Sequence, residues 1–241
     1  AGCGIWDSPF GDPRPYIVGD WTFDDDNDRD ETYDIVWDSS GWFHDGIVEK
    51  GQWVPGVPKL FGYALKLEEA DNAVRIEFTS RLQPTGSLTV ESWIKPDEDL
   101  VIDGSDTVYP IIVADNVYAL SWDSSRGLTF TIYQEDGEDK VYAADKLGGE
   151  DLVIEKDSWT HVAVVMETNF YKLNLYVDGK TAKSFTDESI RRSDLWNMPG
   201  DYIYLGKSKD GDVFLGCLDN ARIYNTAVSQ SWLGYYADDL W

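Results

Sequence analysis

Short runs of β-branched and aromatic residues alternate with clusters of Gly, Pro, Asn and Asp along most of this chain, and this spacing restricts the fold more than any other feature. Such runs, separated by turn residues roughly every dozen positions, are typical of the strands of a sandwich. A helical period of about 3.6 residues is visible only near residues 229–236. The sequence therefore predicts an all-β protein built as a two-sheet antiparallel β-sandwich. The clearest predicted strands are residues 88–95, 111–114, 117–122, 128–134, 160–167, 172–177, 202–205 and 218–224.

The turn residues agree with this prediction. Asp178 and Gly179 follow the predicted strand 172–177, and an Asp-Gly pair suits a two-residue type I′ hairpin because both positions of that turn require a positive φ. The pairs at 136–137 and 210–211 are also Asp-Gly and mark two further loop tips.

The length and composition fit one domain. The chain has 241 residues, 42% of them hydrophobic, which is enough for one well-filled core. No internal repeat or low-complexity linker divides it. We expect a single domain over residues 1–241, with an extended N-terminal arm at residues 1–15, which contains three prolines, and an aromatic C-terminal tail at residues 232–241.

The net charge limits the classes of partner. Asp and Glu number 45 against 20 Lys and Arg, which gives a formal charge of -25. Nucleic acid and anionic membranes would be repelled, whereas cations, neutral glycans and basic protein surfaces are compatible with this charge. The simplest reading of the acidity is solubility in an extracellular medium. No apolar run approaches the roughly 20 residues that span a bilayer, so no transmembrane segment is expected.

The two cysteines, Cys3 and Cys217, bear on location. In a secreted protein they can form one disulfide that ties the N-terminal segment to a late strand. The alternative is a buried free Cys217 and an unpaired Cys3. The sequence Ala1-Gly2-Cys3-Gly4 also resembles the end of a bacterial lipobox, although retention of the first two residues argues against cleavage there. We expect a secreted or cell-surface protein, with lipidation of Cys3 as the alternative to the disulfide.

A set of motifs lies in order between about Trp21 and Ser229. It consists of GDWTFDDD, DSSGWFHDG, PKLFGYALKL, GSLTVESWIKP, DSWTHVAVVM, LNLYVDGK, DYIYLGKS and FLGCLDNARIYNTAVS. As an ordered set they resemble a laminin-G-like domain of the concanavalin-A-like lectin and glucanase type, which implies a jelly-roll sandwich. Lectins, adhesion modules, carbohydrate-binding modules, glycosidases and polysaccharide lyases share this sandwich, so the fold does not choose among these functions.

The resemblance implies a structural calcium ion. Its ligands would be Asp20 or Asp24 near the N-terminus, the carbonyl of Gly62, and Asp219 in the last strand. Carboxylate and carbonyl oxygens are the ligands that calcium prefers. The acidic run 24–31 is not an EF-hand, because it lacks the required glycine and the later bidentate glutamate. The alternative role for Asp219 is acceptance of hydrogen bonds from the backbone or from Arg222.

Alternation along the strands suggests a carbohydrate-binding surface. Leu88, Val90 and Ile94 would face the core, and the intervening Glu91 and Trp93 would face outward. By the same alternation Tyr133 and Tyr176 point outward. If these strands share one concave sheet, the four outward residues line a trough where rings can stack on sugars. The alternative for the tryptophan is that neighbouring loops cover it and that it serves packing. The residues of the predicted trough are Trp93, Tyr133, Tyr176 and Glu91.

The other tryptophans divide into two groups. Three are expected in the core, namely Trp21, Trp122 and Trp159. Four lie in loop-like contexts and are candidates for contact with a glycan or a protein, namely Trp37, Trp42, Trp53 and Trp196.

Catalytic motifs are absent from the sequence. The two histidines, His44 and His161, are far apart and have no HExxH or cysteine cluster with which to bind zinc. The E-x-D-x-x-E string of glycosidases with this fold does not occur, and the strings of its lyases are incomplete. We therefore expect a protein that is not an enzyme.

These observations predict a non-catalytic extracellular binding or adhesion module that recognises a glycan or a neighbouring protein and contains a structural calcium. One alternative is a structural subunit of an extracellular assembly or homo-oligomer that docks through its termini. The other is a polysaccharide lyase or glycoside hydrolase whose catalytic residues are distant in sequence.

Overall fold

The computed structural model describes residues 16–24, 35–58, 62–84, 86–135, 137–190 and 200–238. The N-terminal arm with Cys3, most of the acidic run 24–31, and Trp196 lie outside the described residues. The strands in chain order are β1 Ile17–Trp21, β2 Ile35–Val36, β3 Gly46–Glu49, β4 Gln52–Pro55, β5 Tyr63–Leu67, β6 Ala73–Glu77, β7 Leu88–Pro96, β8 Val108–Ala114, β9 Tyr118–Asp123, β10 Gly127–Ile132, β11 Lys140–Ala144, β12 Lys146–Leu147, β13 Glu150–Asp151, β14 Thr160–Glu167, β15 Lys172–Val177, β16 Lys180–Thr186, β17 Tyr202–Leu205 and β18 Gly216–Tyr224. One 3₁₀ turn, Thr168–Phe170, and one helix, α1 Gln230–Asp238, are also described.

The strands form two stacked antiparallel sheets. Sheet 1 has the order β16-β15-β14-β7-β18-β5-β4, and β1 pairs with the second half of β18. Sheet 2 has the order β11-β10-β9-β8-β17-β6-β3-β2. The short strands β12 and β13 pair with each other outside both sheets. The predicted all-β, two-sheet antiparallel sandwich is therefore confirmed.

Local sequence patterns placed the strands accurately. The predicted strands 160–167, 172–177 and 202–205 have the observed bounds, and the others differ by a few residues at their ends. The turn between β15 and β16 has Asp178 at φ 48° and Gly179 at φ 68°, as the type I′ hairpin requires. The predicted helical turn near residues 229–236 corresponds to α1.

The main core lies between the two sheets. The inward residues of β7 and β14, such as Val90 and Val164, meet those of β9 and β10, such as Leu120 and Phe130. Trp21 and Trp122 are fully buried in this core, as expected. Trp159 is also buried, but in a different cluster on the outer face of sheet 1.

The outer face of sheet 1 is covered as well. Helix α1 packs on it through Trp232 and Leu233, which contact outward residues of β14, β15 and β18. The helix approaches the hairpin turn so closely that a Cβ on Gly179 would lie 2.7 Å from the Cα of Gly234. The described part of the predicted aromatic tail thus packs across its own sheet. Among the described residues, no helix is long and apolar enough to cross a membrane.

A charged cluster lies buried on this covered face. The carboxylate of Glu91, with no exposed surface, accepts a 2.8 Å hydrogen bond from the Tyr224 hydroxyl. It lies 3.3 Å from His161 Nε2 and 3.5 Å from Arg222 Nη1. Arg222 Nε in turn donates a 2.9 Å hydrogen bond to Asp20. The cluster joins β7, β14, β18 and β1 across sheet 1.

The surroundings of Glu91 favour its charged form. Burial alone would raise the pKa of this carboxyl, but hydrogen bonding and charge from His161, the charge of Arg222 and the Tyr224 hydroxyl together hold the pKa below its ordinary value. A carboxylate with a lowered pKa stabilises the fold at neutral pH. That contribution declines as the pH falls below the pKa of the unfolded chain.

We therefore expect Glu91→Gln to lower the free energy of unfolding by about 3 kcal/mol at pH 7, because one partner of a buried charge cluster is removed. Below about pH 4.5, the ordinary glutamate pKa, the wild type loses the same contribution and the difference narrows. Urea unfolding at neutral and acid pH measures both effects, with the exposed Glu77→Gln as the control. A difference that stays constant with pH would contradict this account.

Candidate functional site

A groove of about 250 Å³ lies on the outer face of sheet 2. Its floor and sides come from β8, β9, β10 and β11, together with the loop that follows β17. Its lining residues are Val108, Pro110, Val113, Ala119, Ser121, Asp123, Arg126, Thr129, Thr131, Tyr133, Val141, Ser208, Asp210 and Asp212.

The floor of the groove is built from small and hydroxyl-bearing side chains. Ala119 of β9 pairs with Thr131 of β10, and Ser121 pairs with Thr129. Their neighbours along each strand fill the core, so period two places these four on the outer face. Because the four are small, they leave a depression, and the hydroxyl groups of Ser121, Thr129 and Thr131 make it partly polar. The Thr129 hydroxyl donates a 3.1 Å hydrogen bond to the Ser121 carbonyl.

The loop at residues 206–213 forms one wall of the groove. Lys207 and Val213 form an isolated bridge that closes the loop, and the Ser208 hydroxyl donates a 3.2 Å hydrogen bond to Asp212. This geometry brings the carboxyl groups of Asp210 and Asp212 into the lining of the groove. The opposite wall includes Val141 of β11.

Tyr133 lies at one end of the groove, just after β10. Burial raises the pKa of its hydroxyl to about 12, and the negative charges of Asp139 and Asp210 add to the effect. The hydroxyl therefore stays protonated at neutral pH and can donate a hydrogen bond. Asp123 and Arg126 lie at the other end, with Arg126 Nε 3.8 Å from an Asp123 oxygen.

The predicted trough of Trp93, Tyr133, Tyr176 and Glu91 does not form. Tyr133 follows β10 in sheet 2, whereas the other three are on strands of sheet 1. Trp93 is 1% exposed, Tyr176 is 5% exposed and Glu91 has no exposed surface. The predicted outward direction of these three was right. The trough fails because α1 and neighbouring loops cover that face, and because the hydrogen-bonded strands around Tyr133 belong to the other sheet.

The laminin-G-like resemblance also implied a calcium site. The structure brings Asp24, Gly62 and Asp219 together, but not Asp20. The β1–β18 register places Asp20 opposite Arg222, and the two side chains form the ion pair described above. Among the described residues, no three Asp, Glu, His or Cys side chains form a metal-binding group, so any cation here would also rely on backbone oxygen.

The contacts around these three residues are close. Asp24 Oδ1 accepts a 3.2 Å hydrogen bond from the Tyr63 backbone N–H, and a Cβ on Gly62 would lie 1.7 Å from the same oxygen. Asp219 Oδ2 accepts a 2.9 Å hydrogen bond from the Val57 N–H. A larger residue at position 62 would therefore have to displace the Asp24 carboxylate.

The electrostatics of Asp219 suit a cation. This carboxyl is 1% exposed, and its burial raises its pKa to about 7, with the negative charge of Asp24 acting in the same direction. A hard divalent cation would favour the charged form of both carboxylates. The Gly62 carbonyl would supply a further oxygen, of a kind that calcium also accepts. The residues present thus fit calcium.

Cys217 is a buried free thiol in the structure. Its predicted partner, Cys3, lies outside the described residues. The disulfide between them stays a prediction.

A second exposed surface lies on the other half of sheet 2. The rings of Tyr202 and Tyr204 are 6.0 Å apart, and the Arg75 guanidinium lies 4.8 Å from the centre of the Tyr202 ring. Trp37 and Ile47, both nearly half exposed, lie near the edge of the same sheet. The sequence analysis missed the two tyrosines, although the alternation in DYIYL points both of them outward. Trp42 is 42% exposed, with Arg81 over its ring, whereas Trp53 packs partly against the core.

Two stacked antiparallel sheets with a shared core define a β-sandwich. Residues 68–234 match the concanavalin A-like lectin/glucanases superfamily, and the chain belongs to this laminin-G family. A comparison with curated proteins gives no match.

Solved structures with the same fold include toxin binding domains. The binding domain of Paraclostridial Mosquitocidal Protein 1 superposes with a TM-score of 0.70 at 17% identity, over 95% of this chain and 53% of that one. The binding domain of botulinum neurotoxin DC in complex with rat synaptotagmin II gives a TM-score of 0.66 at 12% identity. The match covers 95% of this chain and 53% of that one. A structure of botulinum neurotoxin type C, a toxin whose cell entry depends on two ganglioside molecules, gives a TM-score of 0.63 at 12% identity. The match covers 95% of this chain and 52% of that one. The chain thus spans about half the length of these structures, and at this identity the likeness shows the fold alone.

The raised pKa of Tyr133 is directly measurable. At pH 10, where an ordinary tyrosine is half ionised, Tyr133 should remain protonated because burial disfavours the phenolate. The near-ultraviolet difference between wild type and Tyr133→Phe, recorded from pH 8 upward, isolates this one group. Half-ionisation of the difference signal at pH 10 would show that the groove does not enclose the hydroxyl.

Proposed function

We propose that this protein is a non-catalytic, extracellular binding module that holds a glycan in the groove of sheet 2 and carries a structural calcium ion. The observation that supports it best is the groove itself, because a hydroxyl-lined floor, carboxylate walls and one tyrosine converge on the uncovered sheet face.

The chemistry of the lining matches a polyhydroxylated ligand. Sugar hydroxyls both donate and accept hydrogen bonds, so carboxylates such as Asp123 can accept from them, while the Thr131 hydroxyl can do either. The Tyr133 ring offers an apolar face against which a sugar ring can pack. Ligand sites of this kind combine a concave surface with a few convergent polar groups.

Several observations support a binding role over catalysis. The neighbouring structures are described as binding domains, although the family also includes glucanases. The strings that carry catalysis in glycosidases and lyases of this fold are missing from the sequence. The same neighbours support an extracellular or surface location.

Calcium would bind between Asp24, the Gly62 carbonyl and Asp219. It would neutralise two carboxylates and link the segment after β1 to the last strand, β18. Its contribution is structural, because these residues lie outside the groove lining.

Blocking the groove tests the glycan proposal. Thr131→Trp places a large ring on the floor and should weaken binding of the best glycan on an array by about tenfold or more. The matched control is Ile47→Trp, which adds a ring to an exposed position on the same sheet outside the groove. Calorimetric titration of both variants measures the affinities, and circular dichroism checks the fold. Equal binding by the two variants would place the ligand elsewhere.

Calcium binding is tested by thermal unfolding. At a calcium concentration about 100 times Kd, the ion should stabilise the protein by about 2.7 kcal/mol, or roughly 5–10 °C in Tm, relative to excess chelator. Asp219→Asn should remove this shift, whereas Asp123→Asn in the groove should keep it. If wild type and Asp219→Asn respond alike, the site is not at Asp219.

A protein partner is the second candidate, because the surface around Tyr202 and Tyr204 resembles the centre of a protein interface. Tyr, Trp and Arg are enriched at interface hot spots, and this surface presents all three, with Arg75 also paired to Glu49 at 2.7 Å. Tyr204→Ala should then impair binding of a protein ligand and leave glycan binding unchanged.

A further inference from the structure

We propose that the groove selects neutral glycans against acidic ones, and that the loop at residues 206–213 imposes this selection through Asp210 and Asp212. The inference rests on the proposed function, since it names the class of glycan that the same groove accepts.

The loop contains two lysines, Lys207 and Lys209, and it directs Lys209 away from its carboxylates. Lys209 lies between Ser208 and Asp210, yet its amino group lies 3.3 Å from Asp115 and donates to the Asn116 side-chain oxygen. Both partners belong to the turn between β8 and β9. The lysine therefore anchors the loop to sheet 2 instead of neutralising the wall of the groove.

The two wall carboxylates keep their charge. In the part of the chain that the structure describes, neither Asp210 nor Asp212 forms an ion pair, and the Asp212 carboxylate accepts a hydrogen bond from the Ser208 hydroxyl of the same loop. The one arginine of the lining, Arg126, lies 3.8 Å from Asp123 at the far end, with a side chain more than half exposed. The wall near Tyr133 is thus negatively charged.

This charge distinguishes classes of glycan by short-range electrostatics. A sulfate, sialic acid or uronic acid carboxylate at this end of the groove would face the charges of Asp210 and Asp212, whereas Arg126, the one basic side chain among the described lining residues, lies at the far end. A neutral sugar would instead donate hydroxyl hydrogens to the same oxygens. The repulsion within the groove acts over distances shorter than the Debye length of about 8 Å, so it persists at physiological salt.

A basic peptide is the competing ligand, because lysine side chains would also be attracted to the wall. The floor argues for the sugar. An apolar peptide side chain over the Thr131 hydroxyl would leave that hydroxyl without a hydrogen bond, whereas a sugar hydroxyl can bond to it.

The test compares ligands of matched size and different charge. The probes are neutral gluco-, xylo- and manno-oligosaccharides, acidic oligogalacturonate and oligoalginate, a sulfated galactan oligosaccharide, and oligolysine, each titrated calorimetrically at physiological salt. We expect at least one neutral series to bind. The acidic series should bind about tenfold more weakly or not bind at all. In the double variant Asp210→Asn and Asp212→Asn this ratio should shrink toward one, mainly through a gain in affinity for the acidic probes.

The control variant removes two charges elsewhere. Glu155→Gln with Asp157→Asn changes the exposed loop before β14, outside the groove lining, and should leave the ratio unchanged. If this control shifts the ratio equally, net charge and not the loop is responsible, and the inference is wrong.

The remaining outcomes separate the inference from the proposed function. If no glycan binds, or if Thr131→Trp has no effect on binding, the proposed function fails. If neutral and acidic probes bind equally, and both are blocked by Thr131→Trp, the proposed function stands and the charge selection is overturned. If oligolysine binds more tightly than every glycan and competes for the groove, the ligand is a basic peptide and not a glycan.

Discussion

The ion-paired cluster around Glu91 is the interaction on which the arrangement of this molecule depends. It connects four strands of sheet 1 through His161, Tyr224 and Arg222, and reaches β1 through Asp20. A buried charge of this kind is tolerated only where every partner is held in position, so the cluster specifies the register of the strands that carry it. It also commits the outer face of sheet 1 to internal contacts, which helix α1 completes. The uncovered face that remains for a ligand belongs to sheet 2.

The two sheets therefore have different roles. Sheet 1 is buried on both faces along most of β7, β14 and β18, and supplies rigidity. Sheet 2 shares the core on one side and presents small, polar residues on the other. The groove arises because Ala119 and Thr131 are small where a larger outward residue would fill the depression. Such a division explains how one fold can support many ligands, since residues on the exposed face change without disturbing the core.

Much of the fold could be predicted from sequence because strand alternation and turn chemistry are local. The direction of Trp93 and the turn at Asp178 follow from neighbouring residues alone. The covering of Trp93 could not be predicted in this way, because it depends on packing against Val57, Ala64 and Cys217, which are distant in sequence. Sheet membership of Tyr133 is equally non-local. Asp24, by contrast, meets Asp219 where the family resemblance implied, while Asp20 is drawn to Arg222 by a register that no local pattern encodes.

The position of β18 has a consequence for how the molecule folds. This strand lies in the middle of sheet 1, between β7 on one side and β1 and β5 on the other, so residues near 220 pair with residues near 20 and 90. Sheet 1 therefore cannot close until β18 has paired with β7 on one side and with β1 and β5 on the other. Contacts of such long sequence separation also slow folding. The slowest part of folding is therefore expected to be the insertion of β18 between β7 and its other two partners, because all of these pairings join segments far apart in sequence.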